Sequence, residues 1–146
     1  MVIRQQNSNI HRIEHVSLDP LKFFEHRVRK HSAAQIAKIG SSLDRFGCMI
    51  PILLDADNNI VCGEARVLAA IEIGWKTIPA ISVSHLSSAE IRAYRLADNR
   101  LAEDAEWDPV QLKVEFLEIE TLSIDLEFTG FEIPEGLFLP RELESE

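Results

Sequence analysis

The chain has 146 residues, 46% hydrophobic and 27% charged, enough apolar material to close one core without a disulfide or metal. A formal charge of −9 excludes a surface that binds nucleic acid all over, because phosphate contacts need basic side chains. The acidity is unevenly placed: residues 1–100 carry 13 basic and 10 acidic side chains, whereas residues 101–146 carry 2 and 14. Cys48 and Cys62 form no CxxC pair and indicate a reducing compartment where neither is bridged. The stretch Met1 to Asn7 lacks a basic-then-apolar signal pattern, and no apolar run reaches the ~18 residues of a membrane span. A cytoplasmic protein is expected.

Residues 1–11, rich in Asn, Gln and Ser, are expected to form a flexible leader. Ile13 to Leu18 alternates weakly and is closed by Pro20, which predicts a short strand. A charged connection follows, including Arg27, Arg29, Lys30 and His31. Ser32-x-x-Gln35 has capping-box form and opens a helix, along which Ile36, Ile39, Leu43 and Phe46 make one buried stripe. Gly47 ends it, and Gly40 inside it costs about 1 kcal/mol relative to alanine, which implies close packing on a neighbour. Residues 51–54 and 60–62 are apolar runs around Asp55-Ala56-Asp57-Asn58-Asn59 and predict a hairpin. A second helix follows Gly63, carries Val67, Leu68, Ile71 and Ile73, and stops at Gly74. Thr77 to Val83 reads as strand. Ser87-x-x-Glu90 opens a third helix to about Leu101, and Asp108-Pro109 opens a fourth carrying Leu112, Phe116, Ile119 and Leu122. The expected fold is α+β, a small mixed sheet with about four helices. Its expected parts are a domain over 12–104, a helical extension over 105–133 and an acidic tail over 134–146.

The segment Ile60-Val61-Cys62-Gly63-Glu64-Ala65-Arg66 carries the strongest chemical signal. A strand runs through glycine into a helix whose first N–H groups lack partners and whose dipole favours an anion. Gly63 lets a ligand approach the backbone, and Arg66 in the first turn adds a planar fork suited to phosphate. Glu64 opposes an anion unless it binds a metal, a ribose or a transferred proton. Taken alone, the same residues also describe an ordinary strand-to-helix turn with a surface Arg–Glu pair. Arg27 and Arg29 offer a second wall, and Asp98-Asn99 offers two oxygen ligands of the kind Mg²⁺ takes beside phosphate. His11-x-x-x-His15 has metal-ligand spacing only on a helix, and Ile13 and Val16 make it strand.

These segments stand in an order that resembles the ParB/sulfiredoxin-like domain: Arg29-Lys30-His31-Ser32, the helix ending Phe46-Gly47, Pro51 to Leu54, Cys62 to Ala70, and Gly74-Trp75-Lys76-Thr77-Ile78-Pro79. Residues 94–103 and Thr129-Gly130-Phe131 look like the branch that accompanies phage and bacterial DNA methyltransferases. The resemblance spans about residues 12–133 and implies a nucleotide pocket in which a Gly-Glu-Arg-Arg box cradles the triphosphate of CTP. The matching positions are Gly63, Glu64 and Arg66, with Ala65 in place of the first arginine; Arg29 matches an upstream arginine. Asp98-Asn99 matches a metal-holding Glu-Asn pair, and Leu101-Ala102 stands where Gln-Arg usually follows. The sulfiredoxin branch has a cysteine nucleophile where Glu64 stands; Cys62, two residues earlier on the strand, reads as a structural core cysteine.

The resemblance implies a nucleotide-binding domain in DNA transactions, with a nucleoside triphosphate and Mg²⁺ as ligands and slow hydrolysis as a conformational switch. Two alternatives stand beside it. One is a small nuclease or nucleotide-dependent phosphotransferase with Glu64 as catalytic base, for which no HNH-like or paired-carboxylate centre is present. The other is a ligand-free interaction module of a DNA methyltransferase system, with that enzyme or a second copy as partner. Contact with DNA is expected to be weak or indirect, because the 16 residues after Gly130 leave no room for a reading domain and are acidic.

Overall fold

The computed structural model describes residues 12–25, 27 and 29–132. The expected leader over 1–11, the tail over 134–146 and His11 lie outside the described residues. Strand β1 (Ile13–Ser17) is followed by helix α1 (Ala33–Phe46), the hairpin β2 (Ile52–Leu54) and β3 (Ile60–Cys62), and helix α2 (Glu64–Glu72). Strand β4 (Thr77–Ser82), helices α3 (Ser88–Glu103) and α4 (Pro109–Thr121), and a 3-10 turn over Leu126–Thr129 complete the order.

The four strands lie in the order β1-β4-β2-β3, antiparallel at both edges and parallel where β4 meets β2. A parallel pair needs a crossover, which β3 and α2 provide between β2 and β4. The hairpin turn is built by Asp55, whose carboxylate accepts from the backbone N–H of Asp57 and Asn59 and from the Asn59 amide. Asn58 supplies the positive φ of 63°. The connection after β1 adds to the sheet edge, with Lys22 N–H donating to Asn58 O and Ile60 N–H to Lys22 O.

One side of the sheet packs on α1 and α2, with Ile52, Val67 and Ile78 wholly buried there. Burial of such a side chain contributes roughly 1.5–3 kcal/mol. The close approach inferred from Gly40 is between these two helices: a Cβ on Gly40 would lie 3.1 Å from Ile73 Cγ2 and 4.0 Å from Ala69 O. The opposite side holds Val61, Cys62, Val83 and Ile91 under α3. Ser87 and Glu90 form the full capping box, and Asp108 accepts from Val110 and Gln111 N–H. At Ser32 only half of the expected box forms, the hydroxyl accepting from Gln35 N–H while Gln35 Oε1 turns to His31 Nδ1.

Three expectations are corrected. Phe46 does not finish the buried stripe of α1; it is exposed and stands edge-on to Phe128, 6.3 Å away, because that end of the helix meets the 3-10 turn, where Arg45 also lies over the Phe128 ring. Ile71 and Ile73 are likewise exposed, as α2 buries only the face carrying Val67, Ala69 and Ala70. Leu122 sits beyond the last turn of α4 and is exposed, whereas Phe116 is buried edge-on to Phe131 at 5.2 Å. Phe131 also meets Trp107 at 4.9 Å, so the Thr129-Gly130-Phe131 turn closes the base of α4.

Candidate functional site

Residue by residue, the site grows from the β3–α2 junction. Gly63 caps α2 with φ 99° and ψ 22°, and no side chain caps the helix. The first N–H groups of α2 therefore keep their capacity for an outside acceptor. Packing alone already demands a glycine here. A Cβ would point inward, 2.5 Å from Ile52 Cγ2 and 2.9 Å from Arg66 Nη2, so it is core and guanidinium that exclude a side chain.

Arg66 folds back over this glycine, and its Nη2 donates to Pro51 O at 3.2 Å. Its Nε is buried without a hydrogen-bond partner. Glu64, mostly buried, lies with Oε1 3.0 Å from Arg27 Nε, but the N–H is not aligned with the oxygen, so the pair is ionic without a hydrogen bond. Arg27 also rests on the Phe23 ring, 4.4 Å from its centroid. Arg27 thus neutralises Glu64 from the rim, a role that spacing alone did not reveal.

A cleft of about 230 Å³ opens here, lined by residues 60–66, by Arg29, His31, Gln35 and Ile39, and by Arg95, Asp98 and Asn99 of α3. The fold thus brings together Arg29, Gly63, Glu64, Arg66, Asp98 and Asn99, six of the seven candidate positions; Arg27 is not among the lining residues. Arg29 Nη1 pairs with Glu103 Oε1 at 2.7 Å, an exposed contact that solvent screens. His31 Nδ1 lies 2.9 Å from Gln35 Oε1 at the start of α1.

Arg95 is the cleft residue that sequence reasoning missed. Its guanidinium stacks 4.1 Å from the Phe24 ring centroid, which holds it between the cleft and a larger groove of about 790 Å³ along the N-terminal half of α3. The signal lay in the (i, i+3) and (i, i+4) relation of Arg95 to Asp98 and Asn99, which puts the three on one helix face. The larger groove is mostly apolar, and its Asp55 is committed to the hairpin turn, so the chemistry gathers in the smaller cleft.

Asn99 donates its amide N–H to Arg95 O at 2.8 Å, leaving its oxygen as the ligating atom. Asp98 lies beside the Cys62 thiol. Burial first, and then the charge and hydrogen-bonding of Asp98, push that thiol up to about 12 against the opposing pull of Arg66 and Arg95. Cys48 is raised too, by burial, against the pull of Arg66 and of the Ile50 backbone. Both cysteines are free and neither is a thiolate near neutral pH.

Three arginines and one histidine thus face two carboxylates across a space that suits phosphate oxygens. Among the described residues no group of three His, Cys, Asp or Glu could hold a metal ion. Asp98 and Asn99 fit Mg²⁺ only as a partial shell that phosphate oxygens and water complete. Among the described residues no helix is long and apolar enough to cross a membrane.

A model of the ParB N-terminal domain family matches residues 3–100. The "ParB-like nuclease domain-containing protein YnaK" of Escherichia coli (strain K12) is 33% identical over 73 residues, covering 50% of this chain and 84% of its own. The C-terminally truncated chromosome-partitioning protein ParB from Caulobacter crescentus, complexed with CTP-gamma-S, superposes with a TM-score of 0.68 at 18% identity, over 81% of this chain and 68% of that one. Sulfiredoxin from Arabidopsis thaliana gives 0.48 at 19% identity, over 58% of this chain and 97% of that one.

Proposed function

The chain belongs to the ParB N-terminal domain family, and from that premise we propose that its β3–α2 cleft binds a nucleoside triphosphate as the magnesium complex. The observation that carries the proposal is the convergence in one cleft of the uncapped start of α2, Arg29, Arg66 and Arg95, and the oxygens of Asp98 and Asn99. The buried, orphaned Nε of half-buried Arg66 is a second support, since a phosphate oxygen would satisfy a donor left unpaired among the described residues. The Caulobacter ParB of like fold was crystallised with CTP-gamma-S, which makes CTP the first nucleotide to try.

In this assignment the N–H groups of α2 and the arginines carry the phosphates. Asp98 and Asn99 supply the protein share of the metal's ligands, and Mg²⁺ contributes neutralisation of the phosphate charge. Arg27 keeps Glu64 from repelling the anion. Such a domain acts in DNA transactions through its nucleotide state rather than by reading bases.

The test is a thermal-shift panel with CTP, ATP, GTP and UTP plus Mg²⁺, followed by calorimetry. At a ligand concentration of 100 Kd, binding adds about 2.7 kcal/mol, or roughly 5–10 °C in a domain of this size. Arg29→Glu should abolish the shift while leaving the ligand-free midpoint within about 1 °C, since its ion pair with Glu103 is exposed. No shift and no heat with any of the four nucleotides overturns the proposal.

A further inference from the structure

Helix α4 is apolar on two opposite sides, and among the described residues only one is packed. Leu112, Phe116 and Ile119 face the body, where Phe116 is buried against Phe131. Val110, Val114 and Leu117, spaced four and three apart, line the other side and are 68%, 40% and 41% exposed. That spacing makes one continuous stripe along the helix.

The stripe lies in an acidic setting. Residues 101–132 hold ten carboxylates and one cation, Lys113. Glu118 stands one turn after Val114 and Glu120 one turn after Leu117, so carboxylates border the stripe on both sides. Glu115, Glu118 and Glu120 make no ion pair among the described residues.

We propose that the outer face of α4 docks an amphipathic helix of a partner protein whose apolar stripe is flanked by lysine or arginine. Charge selects this occupant over the others. A second copy would set the carboxylates of Glu118 and Glu120 against their like, with Lys113 the one cation bordering the stripe. The chain's own residues 133–146 carry one arginine against four glutamates and bring the same sign. An anionic lipid surface is repelled for the same reason. A basic helix meets the apolar stripe and the bordering carboxylates at once, in the helix-in-groove manner with anchors at four and three.

The experiment titrates the full chain into two labelled helical peptides of about three heptads, read by fluorescence anisotropy. Both have leucine at the stripe positions; lysine flanks the stripe in one and glutamate in the other. The lysine peptide should bind at least about tenfold more tightly than the glutamate peptide and lose that margin in high salt. Val114→Lys/Leu117→Lys, at exposed positions, should abolish binding with an unchanged circular dichroism spectrum. Glu115→Lys/Glu118→Lys/Glu120→Lys should reverse the preference between peptides. Equal affinity for both peptides, or binding to neither, overturns the proposal. So does a homodimer in sedimentation velocity that Val114→Lys/Leu117→Lys dissociates, because the occupant is then a second copy.

Discussion

Replacing Gly63 with alanine puts a single methyl group where the structure has no room. The new Cβ would lie 2.5 Å from Ile52 Cγ2, 3.0 Å from Ile52 Cβ and 2.9 Å from Arg66 Nη2. Ile52 is wholly buried and cannot step aside, whereas the arginine end can. The backbone adds strain, because φ is 99° and a β-carbon disfavours left-handed geometry by roughly 1–2 kcal/mol. Overpacking a rigid core contact costs a further 1–3 kcal/mol or so, for a total of about 2–5 kcal/mol. At about 2–4 °C per kcal/mol, the melting midpoint should fall by roughly 4–20 °C.

Two other glycines separate the causes. Gly74 also has positive φ, 84°, but a Cβ there meets nothing within 4 Å, so Gly74→Ala should show the backbone strain alone, about 1–2 kcal/mol. Gly40 has ordinary helical geometry, and its Cβ would press only on the Cγ2 end of half-exposed Ile73. There the helix preference for alanine, up to about 1 kcal/mol, should nearly cancel the crowding. Urea unfolding of the three variants beside the parent decides the matter. If Gly63→Ala is no worse than Gly74→Ala, the inward packing of this glycine against Ile52 is refuted.

The cysteines should separate by reactivity. With its pKa pushed up to about 12, Cys62 should resist Ellman's reagent at pH 8 until the protein unfolds, and Cys48 should react first. Because the folded value of Cys62 exceeds the unfolded value of 9.0, its contribution to stability is complete below pH 9 and is lost as pH rises toward 12. Cys62→Ala should flatten that alkaline decline in a pH series of urea melts, and an equally steep decline in the variant would contradict the assignment. Glu90 is shifted the other way: the Ser87 backbone N–H and hydroxyl hold its carboxyl below the usual range. Its contribution is present above the unfolded value and lost as pH falls through the lowered one, so the difference between parent and Glu90→Gln should vanish in acid. Ser87→Ala should cost about 1 kcal/mol by removing the cap of α3, measured as a shift in urea midpoint. If nucleotide turnover accompanies binding, Glu64→Gln should remove it with affinity within about threefold of the parent, read by calorimetry beside phosphate release.

Much of this molecule is legible one element at a time. Caps at Ser32, Ser87 and Asp108 are local hydrogen bonds among residues two or three apart, so the helix starts could be read without any tertiary information. The Asp55 turn is equally local, and the hairpin followed from it. The segments of the candidate cleft were also legible, because a glycine between a strand and a helix places uncapped N–H groups at a known point.

What the elements do to one another depends on distances between residues far apart in sequence. Helical spacing placed Phe46 in the core stripe of α1, but whether a stripe is buried along its whole length depends on what packs against each turn, and here the last turn meets Phe128. The residue type at Gly63 suggested an opening toward a ligand, yet only the position of Ile52 reveals that the missing side chain makes room for the core. The partners of the site charges, Arg27 with Glu64, Arg29 with Glu103 and Asp98 with Cys62, join segments 36 to 74 residues apart and follow from the sheet order β1-β4-β2-β3. The amino-acid sequence by itself determined the elements, their caps and the chemical types available, because those rest on interactions within a few residues. Tertiary packing alone decided which of those groups face one another, which are neutralised, and which side of α4 is left open.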